Sequence, residues 1–61
     1  MDNHVYELIP RLRRAWVKVP HLRLGQLLID AVDGDDIFMY GDEELVAAVE
    51  RFVVNHILEQ E

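Results

Sequence analysis

Apolar residues recur three and four positions apart along most of this 61-residue chain, and this spacing constrains the fold more than any other feature. At about 100° per residue, such positions share one face of an α-helix, so the spacing predicts amphipathic helices. The pattern breaks at Pro20 and again at Asp33-Gly34, where helices commonly stop. The sequence therefore predicts one all-α domain over residues 1–61, a small three-helix arrangement.

The first predicted helix runs up to Pro20. Asp2 or Asn3 is its expected N-cap, because a short side-chain oxygen accepts hydrogen bonds from the free N–H groups of a first turn. Pro10 lacks a backbone donor, so we expect a kink there or a separate first turn. The face predicted to be buried comprises Val5, Leu8, Ile9, Leu12, Trp16 and Val19.

The second predicted helix spans Leu24–Val32 and is followed by a turn at 33–36. Gly25 lies inside this helix, where glycine is destabilising, which suggests that another backbone approaches closely at that point. The segment 37–40, Ile-Phe-Met-Tyr, is too short and too uniformly apolar for an amphipathic helix. We therefore expect a short extended connector that places Phe38 in the core.

The third predicted helix begins near Asp42, its expected N-cap, and runs to about Leu58. Its broad apolar face consists of Leu45, Val46, Ala48, Val49, Phe52, Val53 and Ile57. A second, narrower apolar strip lies on the opposite side and consists of Ala47, Val54 and Leu58. A lone small bundle would carry charge there, so this strip is the predicted subunit interface.

Charge is distributed unevenly along the chain. The first 25 residues hold five cations and two carboxylates, for a net charge of +3, whereas residues 26–61 carry a net charge of −9. Such asymmetry favours association with charged partners, including a second copy. The start of the chain has neither the basic nor the apolar region of a signal peptide, and no stretch is long enough to span a membrane. Together with the lack of cysteine, this predicts a cytoplasmic protein.

The residues needed for catalysis or metal binding are largely missing. The chain has no cysteine, serine or threonine and no glycine-rich phosphate loop, so we expect neither an enzyme nor a cofactor. An EF-hand register on Gly34 would put Ile29, Ala31 and Tyr40 at ligand positions, so the aspartates of 33–36 are interpreted as a solvated turn. The histidines lack metal-ligand spacing, and His56 is interpreted as a hydrogen-bonded core or interface residue.

A basic stripe runs along the first predicted helix and consists of Arg11, Arg13, Arg14 and Lys18. Cations in such a row can contact phosphates, which makes nucleic-acid binding an alternative function. The simpler interpretation is a solvated helix face on which Glu7 pairs with Arg11 one turn later. Trp16 points with the apolar face, away from these cations, which favours the simpler interpretation.

Between Trp16 and Leu45 the chain resembles a group of small uncharacterised bacterial and phage-associated proteins. The shared pattern is W…P-x-L-R-L-G-Q-L…D-x-E-L, carried here by Trp16, Pro20, Leu22, Arg23, Leu24, Gly25, Gln26, Leu27, Phe38, Asp42, Glu44 and Leu45. The chain departs from that group at His21 and at Tyr40-Gly41. The resemblance covers about half the chain and implies a shared fold but no activity.

These observations predict a non-catalytic protein-interaction module that acts as a homodimer through its third helix. A chain this short buries a small core, and without disulfides association is the expected reinforcement. Two alternatives remain open: nucleic-acid binding through the basic stripe, and mimicry of nucleic acid by the acidic face of residues 30–50 toward a basic groove on a partner protein.

Overall fold

The computed structural model describes residues 4–59, and all of its regular structure is helical. Helix α1 spans His4–Trp16, α2 spans Leu24–Val32 and α3 spans Asp42–Glu59, with a 3₁₀ turn at Ile37–Met39 before α3. Helices α1 and α2 both pack against α3, which lies between them. The predicted all-α, three-helix fold is therefore confirmed.

Helix α1 runs parallel to α3, and α2 runs in the opposite direction. His4 contacts Asp42 at the start of α3, and Arg11 contacts Glu50 two turns further along, so the two helices advance together. The ring of His21, just before α2, lies 5.9 Å from that of His56 near the end of α3, and the chain then returns to the start of α3.

The core lies where the 17–23 loop and the three helices meet. Its buried side chains are Ala15, Val19, Leu22, Leu27, Val49 and Val53. The Trp16 indole N–H donates a hydrogen bond of 2.8 Å to the Leu22 carbonyl oxygen, which ties the end of α1 to the start of α2. The loop thus contributes to the core as much as the helices that it joins.

Helix α1 differs from the prediction at its end and in its buried arc. It ends at Trp16, earlier than the predicted stop at Pro20, and it continues without interruption through Pro10. Val5 and Ile9 were expected to be buried but are exposed. Because α1 packs mainly on α3, the arc that it buries is narrower than its apolar arc. The expected cap at Asp2 or Asn3 falls outside the described residues.

Helix α2 has the predicted bounds and the predicted stop. Asp33 adopts a left-handed conformation with φ of 49°, and Gly34 follows with φ of 90°, so the backbone leaves the helical path there. The expected close approach at Gly25 is wrong, since a Cβ atom built at this position would meet no heavy atom within 4 Å. Gly25 faces open space.

The connector is a 3₁₀ turn, and the expectation of an extended segment that buries Phe38 is wrong. The Asp36 carboxylate accepts a 3.0 Å hydrogen bond from the Phe38 N–H, which stabilises a turn in place of extended backbone. In this turn Ile37 is half-buried, while the Phe38 side chain is 92% exposed.

Helix α3 begins within one residue of the prediction, but Gly41 and not Asp42 is the N-cap. The Gly41 carbonyl oxygen accepts from the Leu45 N–H at 2.9 Å, and the Gly41 N–H donates to the Glu44 carboxylate at 3.0 Å. The predicted inner face is confirmed: Val46, Ala48, Val49 and Val53 are buried, and Leu45, Phe52 and Ile57 are half-buried.

Candidate interaction surface

The outer face of α3 carries the three residues of the predicted interface. Val54 is 51% exposed and Leu58 is 63% exposed, while Ala47 is half-buried. At the spacing of an α-helix these residues share one side, with the exposed Arg51 between Ala47 and Val54. The other described residues therefore leave Val54 and Leu58 open to solvent.

A groove between α1 and α3 joins this face to the basic stripe. It has a volume of about 400 Å³ and is lined by Arg11, Arg14, Ala15, Val17, Lys18, Glu50, Val53 and Val54. Three of the four stripe residues thus border the same groove as Val54, whereas Arg13 does not. Val17, which is 65% exposed, adds apolar surface at this groove. The two surfaces that the sequence predicts separately are one continuous surface in the structure.

Arg11 binds α3 instead of facing solvent. Its Nε and Nη2 atoms donate to the two carboxylate oxygens of Glu50 at 3.1 and 2.6 Å, a bidentate pair, and its Nη1 lies 3.6 Å from Glu43. The expected pairing of Arg11 with Glu7 on a solvated face is therefore wrong. Arg11 lies at the edge of the buried arc of α1, close enough for its long side chain to reach α3.

The cations around Glu50 favour its ionised form. The hydrogen bond from Arg11 lowers the pKa of the Glu50 carboxyl group below its ordinary value of 4.5. Partial burial raises this pKa, but the positive charges of Arg11, Arg14 and Lys18 lower it further. The same pair raises the pKa of the Arg11 guanidinium. Glu50 therefore neutralises part of the basic stripe.

A second groove lies at the other end of the outer face and is acidic. It has a volume of about 770 Å³ and is lined by Asp35, Asp36, Met39, Tyr40, Glu43, Glu44, Ala47 and Arg51. The Tyr40 hydroxyl donates to Asp35 at 3.1 Å. Burial raises the pKa of the Tyr40 hydroxyl, and the hydrogen bond to Asp35 adds to this effect. Ala47 thus borders the acidic groove and Val54 the basic one.

His56 occupies the aromatic end of the α2–α3 contact. It is half-buried and stacks on Phe52 with ring centroids 5.5 Å apart and an angle of 25° between the planes. Its position on the apolar arc of α3 agrees with the prediction. In the part of the chain that the structure describes, no three acidic or histidine side chains are grouped so that they could hold a metal ion.

Two residues of this surface, Glu50 and Val17, are not among those that the sequence predicts for it. No local signal in the sequence connects Glu50 with Arg11, which lies 39 positions earlier along the chain. The position of Val17 could be inferred from the sequence, because it is an apolar residue outside the apolar stripe of the first predicted helix. Such an out-of-phase residue is expected to face solvent or a partner.

Comparison with protein-family models, with curated proteins and with solved structures finds no match. Among residues 4–59, no helix combines the length and apolar character needed to cross a membrane. The resemblance of residues 16–45 to small bacterial and phage-associated proteins stays a prediction.

Proposed function

We propose that this protein is a non-catalytic, cytoplasmic protein-interaction module that acts as a homodimer through the outer face of α3. The observation that carries the proposal is the exposure of Val54 and Leu58 on a regular helix, beside exposed Val17. Removal of apolar surface from water is favourable by about 25 cal/mol per Å². A partner that covers these side chains therefore gains stability that the single chain lacks.

The small core supports a second copy as the partner. Among the described residues, ten apolar side chains are buried, and four of them are close to completely inaccessible. Chains of this size often need a further source of stability, and this one has no disulfide. Association through α3 supplies it and leaves the other exposed apolar groups, including Phe38, for a further protein partner.

The two nucleic-acid alternatives have less support. In the basic stripe, Arg11 is held by Glu50 and Glu43, so the row of cations is interrupted by carboxylates. Arg13, Arg14 and Lys18 form no ion pair within the described residues, yet Arg13 lies outside the groove that the other two line. A phosphate backbone would thus meet few free cations together with a carboxylate.

Mimicry of nucleic acid also has less support, because the carboxylates of the acidic groove have roles within the fold. Asp35 accepts from Tyr40, Asp36 caps the 3₁₀ turn and Glu44 caps α3. Glu43 pairs with Arg11. These four carboxylates therefore each have a partner within the chain.

The proposal is tested by the hydrodynamic mass of the protein at micromolar concentration, compared with two variants. Wild type is expected to sediment as a dimer, and Val54→Glu, which places a charge on the outer face of α3, as a monomer. Ile29→Glu is the matched control, since Ile29 is a similarly exposed aliphatic residue on α2. A monomeric wild type would contradict the proposal, as would a dimer that only the Ile29 variant disrupts.

A further inference from the structure

We propose that the two copies associate with their α3 helices antiparallel, so that the acidic end of each outer face lies against the basic end of the other. This inference rests on the proposed homodimer and specifies its arrangement. It is carried by the order of charges along the edge of the outer face that borders α1.

The first part of this edge is acidic. Glu43 lies in the first turn of α3, and its contact with Arg11 places it on the side of α3 that borders α1. Glu7 is exposed one helical turn before Arg11 and is therefore on the same side of α1. Because α1 and α3 run parallel, both carboxylates belong to the same end of the molecule.

The last part of the edge is basic. Arg14, in the last turn of α1, and Lys18, just beyond the end of α1, line the groove that contains Val54. Neither forms an ion pair within residues 4–59. The charge order is therefore a carboxylate pair, then the neutralised Arg11–Glu50 pair, then a cation pair, so each end of this edge is complementary to the other.

This charge order distinguishes the two ways in which identical helices can pack about a two-fold axis. A parallel arrangement has its two-fold axis along the helices, which places the α1-bordering edges of the two copies on opposite sides of the interface, so the carboxylates of one copy do not meet the cations of the other. An antiparallel arrangement places Glu43 and Glu7 of one copy near Arg14 and Lys18 of the other, twice. Opposite charges across an interface fix the orientation of the partners.

The shape of the apolar strip favours the same arrangement. Ala47 and Leu58 are separated by about 16 Å along α3, at a rise of 1.5 Å per residue. With the helices antiparallel, the small Ala47 of one copy faces the large Leu58 of the other, and the side chains fill the space between the helices. A parallel arrangement would oppose two leucines at one end and leave the space between two alanines unfilled at the other.

Charge reversal tests the arrangement by sedimentation at low ionic strength. Reversal of the basic end, Arg14→Glu with Lys18→Glu, is expected to raise the dimer dissociation constant about tenfold or more, and so is Glu7→Lys with Glu43→Lys. The chain with all four changes has complementary ends again and is expected to return close to the wild-type constant. Arg13→Glu is the matched control, because Arg13 neighbours Arg14 but does not line the groove.

The outcomes separate this inference from the proposed function. A wild-type monomer would overturn both. The antiparallel arrangement alone would be overturned if wild type is a dimer but the fourfold variant does not recover. Its dissociation constant would then be raised by the product of the effects of the two double variants.

Discussion

At the scale of single residues, the Arg11–Glu50 pair connects α1 to α3 and also shapes the charge of the outer face. The guanidinium bridges two carboxylates that lie two turns apart on α3, so one side chain fixes how far α1 is displaced along its neighbour. Periodicity placed Arg11 away from the core, and its pairing depends on which helix is nearby. That information is absent from the local sequence.

The lowered pKa of Glu50 predicts a pH dependence of stability. A carboxyl group with a depressed pKa in the folded state stabilises the fold above its ordinary value of 4.5, and this contribution is lost as the pH falls through the lowered value. Glu50→Gln is therefore expected to reduce the free energy of unfolding at pH 7. Well below pH 4.5, wild type and variant are expected to have similar free energies of unfolding. Urea unfolding at each pH measures this difference.

Glu59→Gln is the control for this experiment, because Glu59 is exposed at the end of α3 and contacts neither Arg11 nor the basic stripe in the structure. Its effect is expected to be small at both pH values. If Glu50→Gln lowers the free energy of unfolding by the same amount at low pH as at pH 7, the Glu50 side chain acts through packing and not through its charge.

The exposed apolar residues show where residue-level reasoning stops. Phe38, Val5 and Ile9 are apolar and in phase with buried neighbours or within an apolar run, yet all three are exposed. An apolar side chain is more stable when it is buried, but a molecule with three helices has few elements that can bury it. Whether a given residue is covered depends on the number and placement of those elements.

At the scale of helices, the start and stop signals that lie within a few residues were predictive. Asp33-Gly34 ends α2 where expected, and the acidic turn at 42–44 marks the start of α3. The end of α1 differs from the prediction: the chain turns after Trp16, whose indole N–H donates to the Leu22 carbonyl oxygen beyond the helix. Residues next to a helix end thus predict the end of α2 and the start of α3, whereas the end of α1 is not predicted by its local sequence.

The two glycines of α2 and its turn are expected to respond in opposite directions to alanine. At Gly25, where no atom obstructs a Cβ, Gly25→Ala is expected to stabilise the protein by about 0.5–1 kcal/mol, because alanine loses less backbone entropy in a helix. At Gly34, with φ of 90°, Gly34→Ala is expected to cost about 1 kcal/mol or more.

Denaturant unfolding of the two glycine variants beside wild type measures both effects on one scale. Each variant serves as the control for the other, since the same methyl group is added at two positions nine residues apart. A destabilising Gly25→Ala would mean that another backbone does come close to the start of α2.

At the scale of the whole molecule, the parallel arrangement of α1 and α3 converts a charge difference along the sequence into one between the two ends of the outer face. The sequence predicted the apolar strip and the basic stripe as separate features. Their meeting in one groove follows from the direction of α1 relative to α3, which periodicity leaves undetermined. The residues of the site were thus largely predictable, and their juxtaposition was not.

Association of the folded chain predicts that thermal stability depends on concentration. A partner that binds the folded state and not the unfolded chain raises the unfolding midpoint as its concentration rises. The wild-type midpoint, followed by circular dichroism over a hundredfold range of concentration, is therefore expected to increase by several degrees. For Val54→Glu the midpoint is expected to stay constant, at a value that reports the core of one chain alone. A wild-type midpoint that does not change with concentration would mean that the folded chain gains nothing from a second copy, and that Val54 and Leu58 are exposed for another reason.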